Sequence, residues 1–330
     1  VFCFAAGAPA FPLHPLAPLR NVAPVNKTVT QLADQMLASY ARYGGINHLD
    51  GVNLPSKTTV TQITEELLRL LFPGFFDDHL IHSSELKIET AARMDAVAGR
   101  LEDEIRKSLE YHPPEGAAKR DFRGLAHDLT LGFLGKLPHV RELLQTDAEA
   151  AFKGDPAALS KEEVIVAYPF IEAIAVQRMA HELYLRNVPL IPRIMTEWAH
   201  SRSGMDLHPG AEIGSHFFVD HCTGTVIGET TVIGSHVKLY QGVGLVAKSL
   251  SAGQALKGTK RHPTLEDRVT IYAGATIMGG DTVVGEGSTI GANVFLTHSV
   301  PPASLVVNED CRVKVMNKKE RNTPSGDFQI

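Results

Sequence analysis

The feature that most constrains this chain is a six-residue period in its C-terminal third. Beyond Met205, aliphatic residues fall at Leu207, Ile213 and Val219, then after an eight-residue step at Ile227, Ile233, Leu239 and Leu245. The array restarts at Ile271 and Ile277, takes a seven-residue step to Val284, and ends at Ile290 and Leu296. Glycine follows the aliphatic residue at 214, 228, 234, 285 and 291. A β-sandwich would instead alternate every second residue, with turns at wider spacing. A hexapeptide register supplies one short strand and one turn. Three of them make a triangular coil with the aliphatic side chain pointing inward, and the small residue after it is expected to ease the corner. One coil cannot hide its own apolar face, so coils are stable only when stacked and capped. Two coils are expected before the break and two after it. The step from Leu245 to Ile271 is too long for one coil, so part of 246–260 must loop out, and excursions from a regular solenoid tend to carry function.

Upstream the period changes. From about Thr28 to His200 apolar residues recur at helical spacing, as in Ile63, Leu67, Leu70 and Leu71 or Leu101, Ile105 and Leu109. Pro73-Gly74, Pro113-Pro114 and Asp155-Pro156 mark the breaks, the last lying before the apolar run Val164 to Ala175. The predicted architecture is therefore α+β: an N-terminal all-helical domain over 28–204, then a parallel β-helix of hexapeptide repeats over 205–302 with a loop at 246–262. A tail follows at 303–330. Residues 1–27, free of acidic side chains and rich in Ala and Pro, read as a disordered or processed segment.

Composition narrows the function classes. The net charge of −5 against 32 basic side chains gives no general pull toward nucleic acid or an anionic membrane. Cys3, Cys222 and Cys311 are odd in number and far apart, which gives neither a disulfide framework nor a paired metal knuckle and points to a reducing compartment. No apolar run is long enough for a membrane helix. A cytoplasmic location is expected, with organelle import left open.

Polar side chains concentrate at two places inside the otherwise bland array. One is Met205-Asp206-Leu207-His208-Pro209; the other is Val219-Asp220-His221-Cys222-Thr223-Gly224, where the eight-residue irregularity falls. A histidine near neutrality, oriented by a carboxylate, suits proton removal from an alcohol attacking a thioester. Asp206 and His221 are 15 residues apart, a little under one three-rung coil, so they can share a corner on neighbouring coils. Arg261-His262 closes the extruded loop; a cation there holds a substrate carboxylate by two points of contact or is an ordinary solvated loop charge.

The run from Asp206-Leu207-His208-Pro209 through Ile213-Gly214, then Asp220-His221-Cys222-Thr223-Gly224, Ile227-Gly228-Glu229-Thr230 and Arg261-His262-Pro263, resembles bacterial and plant serine acetyltransferases over about 155–302. The resemblance implies a left-handed β-helix and transfer of acetyl from acetyl-CoA to the L-serine hydroxyl, giving O-acetylserine for cysteine synthesis. It implies His221 as general base with Asp206 as its partner, and amino-acid binding by Asp155, Asp220, Arg261 and His262. It also implies a coenzyme A contact at the coil of Ala273, between the prisms of a homotrimer or dimer of trimers, with no metal. The ending Gly326-Asp327-Phe328-Gln329-Ile330 is similar to family tails whose terminal carboxylate enters the sulfhydrylase acting next, so Ile330 implies an O-acetylserine sulfhydrylase as partner. Cysteine feedback is common in the family, but these residues do not report on it.

Two departures widen the reading. The stretch from Gly244 to Lys260 is longer than the family's Gly-rich loop, and the helical half is enlarged, so serine O-succinyltransferase or another hexapeptide acyltransferase is an alternative. Gly242 to Ser249 comes within one residue of a phosphate-binding loop but has Ala247 where glycine is needed and leads to no helix. A zinc hydratase on the same prism would use His216 and His221 but lacks a third ligand upstream. A non-catalytic scaffold that regulates the sulfhydrylase is the remaining rival, against which the Asp206 and His221 pair argues.

Overall fold

The computed structural model describes residues 27–114, 122–249 and 251–309. Most of the 1–27 segment, Cys3, Cys311 and the partner residue Ile330 lie outside them. The chain divides into two compact units, with the boundary between Gly51 and Val52, and the second contains both the later helices and the prism. The first unit contains α1 (Val29–Arg42), which opens on a capping box between Thr28 and Gln31 and buries none of its residues.

In the second unit α2 (Lys57–Leu71) ends before Pro73-Gly74 and α3 (Leu86–Tyr111) before Pro113-Pro114, as the breakers predict. Then come α4 (Phe122–Leu134), α5 (Leu137–Gly154), α6 (Lys161–Ala167), α7 (Pro169–Leu185) and α8 (Ile191–Ser203). The apolar run from Val164 is split at Tyr168, because Pro169 cannot donate to a continuing helix and instead opens α7 at its first turn. Helix α7 buries Phe170, Ile171, Ile174, Val176 and Met179 around most of its circumference, the pattern of a helix enclosed by its neighbours. No helix among the described residues is long and apolar enough to cross a membrane.

The prism is a left-handed parallel β-helix of about five turns. Three sheets form its faces. The first is ordered β1-β4-β7-β10-β13, the second β11-β8-β5-β2 and the third β14-β12-β9-β6-β3, all pairs parallel. The strands run from β1 (Asp206–Leu207), β2 (Glu212–Ile213) and β3 (Phe218–Asp220) through β4 (Val226–Ile227), β5 (Val232–Ile233), β6 (Lys238–Tyr240) and β7 (Gly244–Val246). They resume at β8 (Thr264–Leu265), β9 (Thr270–Ile271), β10 (Thr276–Met278), β11 (Val283–Val284) and β12 (Thr289–Ile290), and end with β13 (Phe295–Leu296) and β14 (Leu305–Val306).

The register stacks the predicted aliphatics in columns: Leu207, Ile227, Leu245, Ile277 and Leu296 on the first face, Val219, Leu239, Ile271 and Ile290 on the third. Each is buried, worth about 1.5–3 kcal/mol apiece. The second column contains Leu265, between Ile233 and Val284, which the six-residue count passes over. The break falls inside the third coil, between β7 and β8, and the excursion occupies 247–263. The array also continues past 302, since Val284 bridges to Val300 and β14 pairs with β12. The glycines after the aliphatics serve close approach rather than a left-handed corner: a Cβ on Gly214 would lie 2.7 Å from the carbonyl of Gly234.

The helices cover the prism's open end. Arg178 on α7 donates to both oxygens of Asp147 on α5 at 2.7 and 2.9 Å, and to the carbonyls of Ile213 and Gly214 at 2.9 and 2.8 Å. Gln177 donates to Ala211 O at 2.9 Å, and Asp147 accepts the Phe217 N–H at 3.0 Å. The first coil's edge groups, with no coil beneath them, thus find helix partners.

Candidate active site

The corner from β3 to β4 is built by His221-Cys222-Thr223-Gly224. His221 and Cys222 both adopt left-handed backbone, at φ 59° and 54°, a conformation costing a non-glycine residue roughly 1–2 kcal/mol. Such strain gathers where a side chain must be aimed. The turn sends the imidazole outward, with its side chain 66% exposed, and Cys222 inward, where burial pushes its thiol up to about 12.

Asp220 ends β3, its carboxylate 3.4 Å from Nδ1 of His221. Asp155 caps the C-terminus of α5 and is held on both oxygens: Ala157 N–H donates to Oδ1 at 2.8 Å, and the Tyr168 hydroxyl donates to Oδ2 at 2.5 Å. The Tyr168 hydrogen bond, then that of Ala157, keeps the Asp155 carboxyl below its ordinary range. The same contact pushes the Tyr168 hydroxyl up to about 12. Asp155, Tyr168, Pro169, Asp220, His221 and Cys222 line one pocket of about 250 Å³. A larger cavity of about 580 Å³ opens between α5, α7, β2 and β5, but none of the candidate residues lines it.

Asp206 occupies the expected corner without the expected contact. Gly224 N–H reaches Gly204 O at 2.9 Å, tying the His221 turn to the coil below, where Asp206 opens β1. The Asp206 carboxylate accepts from Arg193 of α8 at 3.3 Å, however, and makes no hydrogen bond to His221. The register explains this: Asp206 pairs with Val226, five residues beyond His221, and the left-handed turn carries the imidazole away. Ala273 does share the corner. Its column climbs from Thr223 through Gln241 to Ala273 by the contacts Gly242 N to Thr223 O, Gly274 N to Gln241 O and Asn293 N to Ala273 O. Ala273 therefore lies two coils above His221, about 10 Å along the prism.

Arg261 and His262 close the excursion at a different corner, between the first and second sheets, so one chain does not bring them to His221. His262 is 8% exposed. Its Nδ1 faces the Thr230 N–H at 3.1 Å and the Thr230 hydroxyl at 3.0 Å. Burial, reinforced by Arg261, pushes the ring down to about 4, so it is neutral near pH 7. Arg261 pairs with Glu229, which also accepts the Tyr184 hydroxyl at 2.8 Å. Glu229 and Thr230 stand in the sequence only as part of a motif, and nothing there marks Tyr168.

Within one chain the two histidines of the zinc reading are not brought together. His216 sits at the corner between the second and third sheets, stacked on His236 at 4.1 Å, whereas His221 turns from the third sheet to the first. Among the described residues Glu197, His200 and Asp206 have metal-compatible spacing, but Arg193 pairs with Glu197 at 2.6 Å and with Asp206 at 3.3 Å.

No family model matches the chain. It is 44% identical over 271 residues to a plasmid serine acetyltransferase of Synechococcus elongatus, covering 78% of this chain and 83% of that one. Serine acetyltransferase of Bacillus subtilis is 43% identical over 178 residues, 54% of this chain and 79% of its own. Among solved structures, serine acetyltransferase 1 of Entamoeba histolytica in complex with L-cysteine matches with a TM-score of 0.65 at 34% identity, covering 74% of this chain and 86% of that one. Isoform 3 from the same organism, in complex with cysteine, gives a TM-score of 0.67 at 30% identity over 88% and 95%.

Proposed function

We propose, from the premise that the chain belongs to the serine acetyltransferase family, that it passes the acetyl group of acetyl-CoA to L-serine in the pocket around His221. The observation that carries this reading is the convergence of Asp155, Asp220 and His221 on one pocket with Ala273 on the same corner column. Two carboxylates there suit the substrate ammonium, and the exposed imidazole beside them suits a base. Asp206, one coil below, is the carboxylate assigned to orient His221 once its contact to Arg193 opens.

The His221 imidazole takes the serine hydroxyl proton as the oxygen bonds to the thioester carbonyl carbon. Backbone N–H groups of the corner hold the oxyanion. The carbon–sulfur bond then breaks, and the imidazolium returns its proton to the departing thiolate, leaving O-acetylserine and coenzyme A. Transfer is direct: a buried Cys222 thiol that stays protonated to about 12 is a poor covalent carrier. General-base help of this kind contributes about 10²–10⁴ in rate.

Arg261 and His262 are assigned to the amino acid as well, and they reach His221 from a second copy of the chain, packed corner to corner in a trimer. Cysteine, with sulfur in place of the serine oxygen, should compete for the same pocket. Ile330 remains the assigned contact to an O-acetylserine sulfhydrylase. The buried free thiol of Cys222 fits a reducing, cytoplasmic setting. Thiol release from acetyl-CoA or succinyl-CoA, with serine, homoserine or a sugar as acceptor, tests the reading. Release from acetyl-CoA only with serine is expected; equal release with succinyl-CoA or a sugar would overturn it.

A further inference from the structure

The pair Arg261-His262 ends an excursion with no sheet partner among its described residues, yet both side chains are held. Their anchors converge on one turn. The backbone N–H groups of Arg261 and His262 donate to a single acceptor, the Thr230 hydroxyl oxygen, at 2.9 and 3.0 Å. Lys260 Nζ donates to the Thr230 carbonyl at 2.5 Å. In return Thr230 presents its own N–H and hydroxyl to Nδ1 of His262. Two donors facing one ring nitrogen leave no room for a proton there, so the proton of the neutral ring resides on Nε2. The ring packs closely against Gly228: a Cβ at that position would be 2.1 Å from Cδ2 and 2.2 Å from Nε2. Glu229 takes Nη2 of Arg261 and is itself steadied by the Tyr184 hydroxyl from α7. One edge of the guanidinium is thereby committed inside the protein, and Nη1, which makes a hydrogen bond of 3.5 Å to Thr259 O, remains for a ligand.

We propose that Glu229 and Thr230 are positioning residues that fix Arg261 and His262 from behind, holding His262 as an Nε2–H donor and Arg261 in one orientation toward the carboxylate of the amino-acid substrate. This rests on the assignment of that pair to serine. Loop anchoring alone would explain the backbone contacts to Thr230, but not why the same residue also sets the imidazole tautomer or why the guanidinium is steadied from α7.

Thr230→Val keeps the branched shape and removes the hydroxyl; Thr230→Ser restores it. In the full-length protein, Thr230→Val should raise KM for serine on the order of tenfold, the scale of one or two lost hydrogen bonds, with KM for acetyl-CoA within about twofold. Thr230→Ser should return both near the wild type. Nitrogen NMR of the histidine rings reads the tautomer without any assay of activity. The wild-type His262 Nδ1 should be unprotonated at pH 7, and Thr230→Val should move the ring toward a mixture. An unchanged tautomer, or a changed one with KM for serine unaltered, would overturn the proposal. If the wild type made no O-acetylserine while the tautomer still followed Thr230, the fault would lie with the substrate assignment and not with the positioning.

Discussion

A buried neutral imidazole makes the fold sensitive to acid, and His262 allows the size to be worked out. Its ring is pushed down to about 4 from an ordinary value of 6.5 by burial, with Arg261, His208 and Lys260 opposing a charge there and Glu229 alone favouring it. Because the folded value is the lower one, the unfolded chain binds more protons between the two, and stability falls as pH drops from 6.5 toward 4. Between pH 7 and pH 5 the unfolded ring gains about three-quarters of a proton while the folded ring gains about a tenth, which removes about 2 kcal/mol. Urea unfolding of the wild type and of His262→Gln at both pH values isolates this share from that of the carboxylates. Gln can still accept the Thr230 N–H, so the variant should fold. The wild type should lose about 2 kcal/mol more than the variant on going from pH 7 to pH 5. Equal losses would refute the picture of His262 as a buried ring whose Nδ1 is closed to protons.

The clamp between helices and prism should be costly to break: Asp147→Ala leaves the buried Arg178 guanidinium with two carbonyl partners and no charge partner, and a loss of about 3–5 kcal/mol is expected in chemical unfolding. A loss under about 1 kcal/mol would mean the end of the prism is held by other contacts. Iodoacetamide at pH 8 should leave Cys222 unmodified in the native protein and alkylate it after unfolding, read by peptide mass, because the thiol is buried and stays protonated to about 12. Rapid native alkylation would contradict the inward turn at that residue.

The solenoid was legible because its signal repeats. A single aliphatic at a six-residue step says little, but Leu207, Ile227, Leu245, Ile277 and Leu296 recur in one column, and the same burial physics acts on each. Leu265 lies six residues before Ile271 but was passed over because the excursion ends just before it, and the tail end of the array escaped because Val300 follows Leu296 by only four positions. The site was only half legible. Chain spacing placed Asp206 and His221 at one corner, but side-chain direction depends on local backbone, and two left-handed residues in succession turned the imidazole from the neighbouring coil. Asp155 was reached through resemblance, and it lines one pocket with Asp220 and His221, held there by the Tyr168 hydroxyl. Glu229 and Thr230 had no signal of their own. Their role depends on contact across 31 and 32 residues of chain, which no local pattern encodes.

The most direct test of a base at one corner completed by an Arg-His pair from a neighbouring copy is complementation between two inactive variants. His221→Ala and His262→Ala, each folded and each depleted in acetyl transfer by about 100-fold or more, would be co-expressed in equal amounts and the mixed oligomers assayed with acetyl-CoA and serine. In a cyclic trimer, random mixing pairs an intact His221 with an intact neighbouring His262 in about one site in four, so about a quarter of wild-type turnover should return. Turnover no higher than that of the separate variants would contradict the account.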